Sequence, residues 1–260
     1  MGHEQDPQKE RAISEGLDPE RMPRHIAFIM DGNGRWAEGK GLTRAEGHSV
    51  GVESVREIIR CAGEIGIGIL TFFGFSTENW KRPKREVAAI MRLIVESLRG
   101  AIDEVTAQDI RVSFLGRWDE LPRINQQIIR QIMEQTAGNN RLLLNVALNY
   151  GGRQEIVEAA QSIAMDVQAG KLDPEVIDEP LFASYLYTEN LPDPDLLIRT
   201  SGEMRISNFL LYQLAYTEIL VSPVFWPDFS RNHFIRAIKD YQSRERRFGL
   251  TGGQVSSNST

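Results

Sequence analysis

Six short apolar runs, each separated from the next by a stretch of helical period or a loop, constrain this 260-residue chain more than any other feature. The runs are 26–30, 67–75, 111–115, 142–148, 196–198 and 219–221. Helical patterns are expected over 48–64, 84–106, 122–137, 153–169, 179–187, 208–215 and 231–247. Strands and helices that alternate in this way bury both faces of a mostly parallel sheet. The expected fold class is therefore α/β: a single domain with a mostly parallel six-stranded sheet flanked by helices. The length suits one large core. Residues 1–22 lack periodicity and read as a mobile N-terminal arm, 23–249 as the folded domain, and the Gly/Ser/Asn-rich 250–260 as a flexible tail.

Polar residues gather just after the runs, where open parallel sheets bind ligands. The strongest instance is His25-Ile-Ala-Phe-Ile-Met-Asp31-Gly32-Asn33-Gly34-Arg35-Trp36, a buried strand that delivers one carboxylate to its tip and is followed by glycines and an arginine. Such a turn reads either as a plain tight turn or as an anion cradle, in which Asp31 and a phosphate share a divalent ion. A second signal is Ile198-Arg199-Thr200-Ser201-Gly202-Glu203-Met204-Arg205-Ile206-Ser207-Asn208-Phe209. Here Arg199 and Arg205 are open to two readings, surface ion pairs or a diphosphate clamp, and Ser207 is a candidate helix cap. Glu218, between apolar runs, needs a partner, either a basic side chain or a metal. His48 opens a helix and is by default a solvated or capping group. Phe75 and Trp80 are by default core or rim aromatics. Val87, Ile90, Met91, Ile94, Val95 and Leu98 form a helical stripe that suits core packing and a lipid-tail lining equally.

Several classes are excluded or disfavoured. A net charge of −6 argues against a nucleic-acid partner. Lysine occurs only at 9, 40, 81, 84, 171 and 239, so most of the thirty basic residues are Arg, which reads either as a coding bias or as a supply of bidentate phosphate contacts. The lone Cys61 allows no intramolecular disulfide, which points to the cytosol. No signal peptide opens the sequence, and the longest apolar stretch, 65–75, is too short to span a bilayer. There is no Walker A pattern, no third glycine of a dinucleotide fingerprint and no zinc-ligand spacing. An aspartyl-nucleophile phosphatase would need Asp where Ile29 stands.

Taken together, six separated motifs resemble the cis-prenyltransferase family, closest to its bacterial undecaprenyl diphosphate synthase branch. They are 25–36, Gly47-His48, Phe75-Ser76-Thr77-Glu78-Asn79-Trp80 with Arg82-Pro83, Asn149-Tyr150-Gly151-Gly152-Arg153, 195–209, and Arg244-Glu245-Arg246-Arg247-Phe248-Gly249. The resemblance runs from His25 to Gly249. It implies condensation of isopentenyl diphosphate onto an allylic diphosphate, usually farnesyl diphosphate, with cis geometry and Mg²⁺. The product would be a long-chain polyprenyl diphosphate of undecaprenyl length, a lipid carrier for cell-wall synthesis.

In the same terms, the resemblance assigns the allylic diphosphate to Gly32, Asn33, Gly34, Arg35, Arg44 and Arg82, with His48 near it. Isopentenyl diphosphate falls to Arg199, Arg205 and Ser207, and the metal to Asp31 and Glu218. Ser76, Asn79 and Trp80 would shape the reacting region, Asn79 taking part in proton removal. Trp36, Phe75, Thr77, Glu78 and Ile206 belong to the same binding motifs. Leu142 matches the bulky residue at the bottom of an apolar tunnel. A homodimer is implied, its Arg247-x-Gly249 tail reaching the partner's site. A cytoplasmic enzyme with transient contact at the inner membrane face is implied as well. The rival within the fold is a non-catalytic accessory subunit that binds polyprenyl lipid; such subunits tend to lose the Asp and Arg of the first motif, which this chain keeps.

Overall fold

The computed structural model describes residues 6–245. Six strands, β1 (His25–Ile29), β2 (Ile69–Ser76), β3 (Ile110–Leu115), β4 (Leu142–Tyr150), β5 (Leu196–Arg199) and β6 (Glu218–Val221), form one sheet in the order β3-β4-β2-β1-β5-β6. Every pairing is parallel. All five residues of β1 are buried, as a central parallel strand requires. Chain order reverses at β1, which lies between β2 and β5, so the crevice of the sheet opens beside Asp31. β2 is irregular on either side of Phe75, next to Gly74, which bends it toward β4.

One face of the sheet carries α3 (Arg44–Ile65), α4 (Lys84–Ala107), α5 (Arg123–Gln135) and α8 (Arg231–Ser243). Its core centres on Phe28, Phe72, Trp226, Phe229 and Phe234; Phe28 and Phe72 stack at 5.0 Å. The smaller core of the other face gathers Tyr150, Phe209, Leu210 and Leu214, alongside α6 (Gly152–Gln168) and α7 (Glu179–Ser184). There the Glu155 carboxylate is buried and accepts hydrogen bonds from Tyr150 Oη at 2.5 Å, Tyr187 N at 2.9 Å and Gln213 Nε2 at 3.1 Å. Cys61 is buried in α3, and burial pushes its thiol up to about 12.

Three expectations are corrected. Residues 7–22 are not a mobile arm. α1 (Pro7–Ser14) is capped by Asp6 and buries Ala12, and Leu17 follows it into the core. Glu15 pairs with Arg231 at 2.8 Å, and Asp18 exchanges hydrogen bonds with Gln242. An eight-residue helix is too short for its period to stand out, and tertiary docking holds it. Second, residues 208–215 form turns, not a helix. Ser207, Asn208 and Leu210 all have positive φ, and the Asn208 carbonyl accepts from Gly152 N at 2.7 Å. The apolar spacing there is met by irregular backbone pressed on the sheet. Third, the glycine turn after β1 contains a helix, α2 (Asn33–Glu38). The tail at 250–260 and Arg247 to Gly249 lie outside the described residues.

Candidate active site

The C-terminal edge of the sheet opens into a cavity of about 790 Å³ between the sheet, α3 and α4. Its mouth is lined by Asp31, Asn33, His48, Ser76, Glu78, Asn79, Arg82, Arg199, Arg205, Ser207 and Asn208. Its depth is apolar, with Val52, Ile90, Ile94, Leu98, Phe114, Leu144 and Val146 among the lining residues. The stripe on α4 therefore serves both readings left open above: Val87, Met91 and Val95 are buried, while Ile90 and Ile94 also face the cavity.

Asp31 stands just past the tip of β1. Its backbone is fixed by the buried Thr200 hydroxyl, which accepts from Asp31 N at 2.9 Å and donates to Asp31 O at 2.7 Å. The carboxylate accepts from Arg199 Nη2 at 2.7 Å and from Arg35 Nη2 at 3.3 Å. Burial raises its pKa. The hydrogen bond and charge of Arg199 outweigh that, aided by Arg35 and the Gly32 N–H, so the group stays below the usual carboxylate range. Gly32 has φ of 105°, and a Cβ there would come within 2.6 Å of Phe225. Only glycine lets the chain turn at this point into α2, whose first-turn N–H groups have no intrahelical acceptor.

The arginines form two groups. Arg199 is buried, and its Nη1 donates to Ser207 Oγ at 2.8 Å and to the Arg205 carbonyl. Its Nε has no protein partner. Glu203 ties Arg35 at 2.8 Å to the exposed Arg205. Across the mouth, Glu86 accepts from Arg82 at 2.9 Å and lies 3.7 Å from Arg44, whose guanidinium rests against Gly34. Half-buried His48 lies in this second group. Burial, then the charges of Arg82 and Arg44, lower its pKa to about 4 against the pull of Glu86, so its ring is neutral near pH 7. Asn79 Oδ1 accepts from Ser76 N at 3.1 Å and locks the turn that follows β2.

Other expected residues sit further back. Phe75 is fully buried and meets the Trp80 ring edge-on at 5.1 Å. Trp80 is 43% exposed and donates to Asn149 Oδ1 at 2.7 Å. Thr77 donates to Glu78. Trp36 is buried beneath Lys40, and Ile206 packs on the smaller core. Ser207 caps no helix; its hydroxyl accepts from Arg199.

One placement differs from expectation, and one lies just behind the cavity wall. Glu218 begins β6, level with Leu196 and so at the opposite edge of the sheet from Asp31. It pairs with Arg244 at 2.9 Å, so the two-carboxylate metal set does not assemble within the chain. Leu142 shares its strand face with Leu144 and Val146 and is level with Ile110, which lines the far end of the cavity, so it is buried directly behind that end without itself lining it. Thr200, Glu203 and Asn208 belong to the marked 198–209 segment but carried no assigned role, and Glu86 lay outside every marked segment. Glu86 lies four residues after Arg82, a spacing that signals a helical ion pair. Asn208, which donates to Glu78 at 2.9 Å, adjoins Ser207 in a segment already marked.

Comparison with known proteins agrees with this geometry. The family model described as "Putative undecaprenyl diphosphate synthase" matches residues 29–249. The chain is 52% identical over 240 residues to the isoprenyl transferase of Heliobacterium mobile, covering 92% of each. It is 51% identical over 244 residues to that of Geobacter sulfurreducens, covering 94% of this chain and 99% of the relative. Among solved structures, lavandulyl diphosphate synthase from Lavandula x intermedia, in complex with dimethylallyl diphosphate, superposes with a TM-score of 0.87 at 40% identity, covering 88% of this chain and 99% of that one. A "probable undecaprenyl diphosphate synthase" from Campylobacter jejuni does so with 0.73 at 33% identity, covering 87% and 98%. With an arginine-rich mouth at the switch point of a parallel sheet and an apolar depth behind it, the chain belongs to the undecaprenyl diphosphate synthase family, and its enzyme class is that of a cis-prenyltransferase.

Proposed function

We propose that the protein elongates farnesyl diphosphate with isopentenyl diphosphate units in cis geometry, giving a polyprenyl diphosphate of undecaprenyl length for use as a cell-wall lipid carrier. The observation that carries this reading is the continuity of one cavity from a guanidinium-lined mouth to an apolar interior.

Joining the two substrates requires diphosphate to leave an allylic carbon, with negative charge growing on the leaving group. Arg35, Arg44 and Arg82, with the first-turn N–H groups of α2, suit that group; Arg199, Arg205 and Ser207 suit the diphosphate of the second substrate. Charged donors preset around a developing anion favour the transition state over the ground state. Two anchored diphosphates hold the reacting carbons in contact. The apolar depth takes the hydrocarbon tail and keeps water from the cationic carbon. Neutral His48 is suited to hydrogen bonding, not to adding charge. Asn79 lines the cavity beside the reacting region and is suited to orienting the proton that departs.

Asp31 fits Mg²⁺: it is an ionised oxygen donor that lines the cavity beside Arg199 and Arg35. Magnesium is commonly held by one or two carboxylates together with substrate phosphates, which suits a lone aspartate. When bound, the ion would neutralise charge on the leaving diphosphate. Glu218 would serve the metal only from a second copy of the chain. A homodimer through the edge strand β6 is proposed, where Tyr216 and Ile219 are exposed. Among the described residues no helix is long and apolar enough to cross a membrane, and transient contact with the cytoplasmic leaflet is proposed for product release.

The test is to incubate purified protein with farnesyl diphosphate, excess isopentenyl diphosphate and Mg²⁺. Mass spectrometry is expected to show products extended by many five-carbon units. Absence of extension by folded protein overturns the reading.

A further inference from the structure

The far end of the cavity is not closed by apolar side chains alone. α3 and α4 both run away from the mouth, each beginning beside its arginines and leading into a parallel strand, so they lie side by side in the same direction. The α4 wall reads Ile90, Ile94, Leu98 and Ala101, then Glu104 with Val105 beside it; the α3 wall reads Val52 and Val55, then Arg56 and Ile59. Charged side chains thus interrupt both apolar stripes toward the depth where the lining reaches Ile110, the first residue of β3. A carboxylate on such a stripe needs partners. Glu104 Oε1 has two, Arg60 Nη2 at 3.0 Å and Gln108 Nε2 at 3.2 Å. One turn earlier, the Arg56 guanidinium lies over Gly100, close enough that a Cβ there would meet it at 3.4 Å. Arg56 with Gly100 and Arg60 with Glu104 make successive rungs across the seam between the helices. The seam is thin: the Arg60 and Glu104 side chains are 57% and 31% exposed.

We propose that Glu104 is a specificity-determining residue for product length, because the Arg60–Glu104–Gln108 latch closes the α3–α4 seam where a growing apolar chain arrives. This rests on the prenyl-elongation reading above. A hydrocarbon end gains by advancing along the apolar wall and gains nothing against a charged rung. To go further it must part the rung and leave between the helices. Exposed ion pairs are weakly held and screened by salt, so the latch is a graded stop and not a fixed wall.

The experiment compares wild type, Glu104→Ala, Glu104→Gln and Arg60→Ala with farnesyl diphosphate as starter and excess isopentenyl diphosphate. It reads the product lengths by mass spectrometry and the rate of the first condensation. Glu104→Ala and Arg60→Ala are expected to lengthen the main product by one or more five-carbon units. The first condensation should stay within about twofold, since the reacting groups sit at the other end of the cavity. Glu104→Gln, which keeps an acceptor for both partners, is expected to shift length less. Arg60→Ala is diagnostic because Arg60 lies outside the cavity lining, so its loss opens the rung without adding space. Unchanged products from both alanine variants, with wild type elongating normally, overturn the latch alone. A shift confined to Glu104→Ala assigns length to volume and also overturns it. Wild type that elongates nothing overturns both the latch and the activity beneath it.

Discussion

Asp31 is gripped by two guanidinium groups of unequal burial, Arg199 with a 5% exposed side chain and Arg35 at 42%. The buried partner fixes the carboxylate, and the exposed one is shared with Glu203 at 2.8 Å and the Ser201 hydroxyl at 2.6 Å. Asp31→Asn keeps the shape and removes the charge. Steady-state kinetics are expected to show a fall in kcat of about 10²- to 10³-fold, the scale of losing one preset electrostatic group. Binding of farnesyl diphosphate, measured by fluorescence titration, should change only a few-fold. His25 gives a separate prediction about stability. Burial lowers its pKa to about 4, against the Pro192 carbonyl and Asp195. Its Nδ1–H donates to that carbonyl at 2.8 Å, and Nε2 accepts from Thr71 Oγ1 at 2.7 Å. The unfolded chain protonates this histidine near pH 6.5 and the folded one only near pH 4. Its contribution is therefore full above pH 6.5 and is lost as pH falls to 4, about 3 kcal/mol in all. Thermal melts across that range are expected to show the decline, and His25→Asn to flatten it.

At the scale of elements, the cradle depends on how closely α2 approaches α3. A Cβ on Gly47 would come 2.2 Å from the Asn33 carbonyl and 2.9 Å from Ala37 Cβ. Gly47→Ala must push α2 away, with a cost of about 1–3 kcal/mol in chemical denaturation. The KM for the allylic substrate is expected to rise more than kcat falls, since the first turn of α2 moves with it. The six strands and six of the helices, α3 to α8, were legible, the strands from their apolar runs and the longer helices from their period. α1 and α2, at eight and six residues, were not: docking by Leu17 and close packing at Gly47 decide them. The 207–214 segment misled for the opposite reason. Its apolar spacing is helical, yet its backbone is bent by positive φ at Ser207, Asn208 and Leu210 to serve Gly152 and Arg153.

For the whole molecule, sequence motifs located which strand ends meet but not which edge each residue occupies. Asp31, Arg199 and Ser207 converge because β1 and β5 are neighbours with their tips in register. Glu218 opens its strand instead of ending it, a position that the run at 219–221 already implied and that its assignment to the metal set overrode. The exposed edge at β6 leads to a further test. Light scattering is expected to give a dimer for wild type and a monomer for Ile219→Lys, since a charge on an edge strand discourages pairing.

The chain's single thiol is sealed inside α3 with a raised pKa, so maleimides have no thiol to attack on the native surface. Any cysteine introduced at an exposed position would thus be the sole labelling site. A fluorophore placed on either helix bounding the cavity could then follow its opening in real time without first stripping the protein of native sulfhydryls.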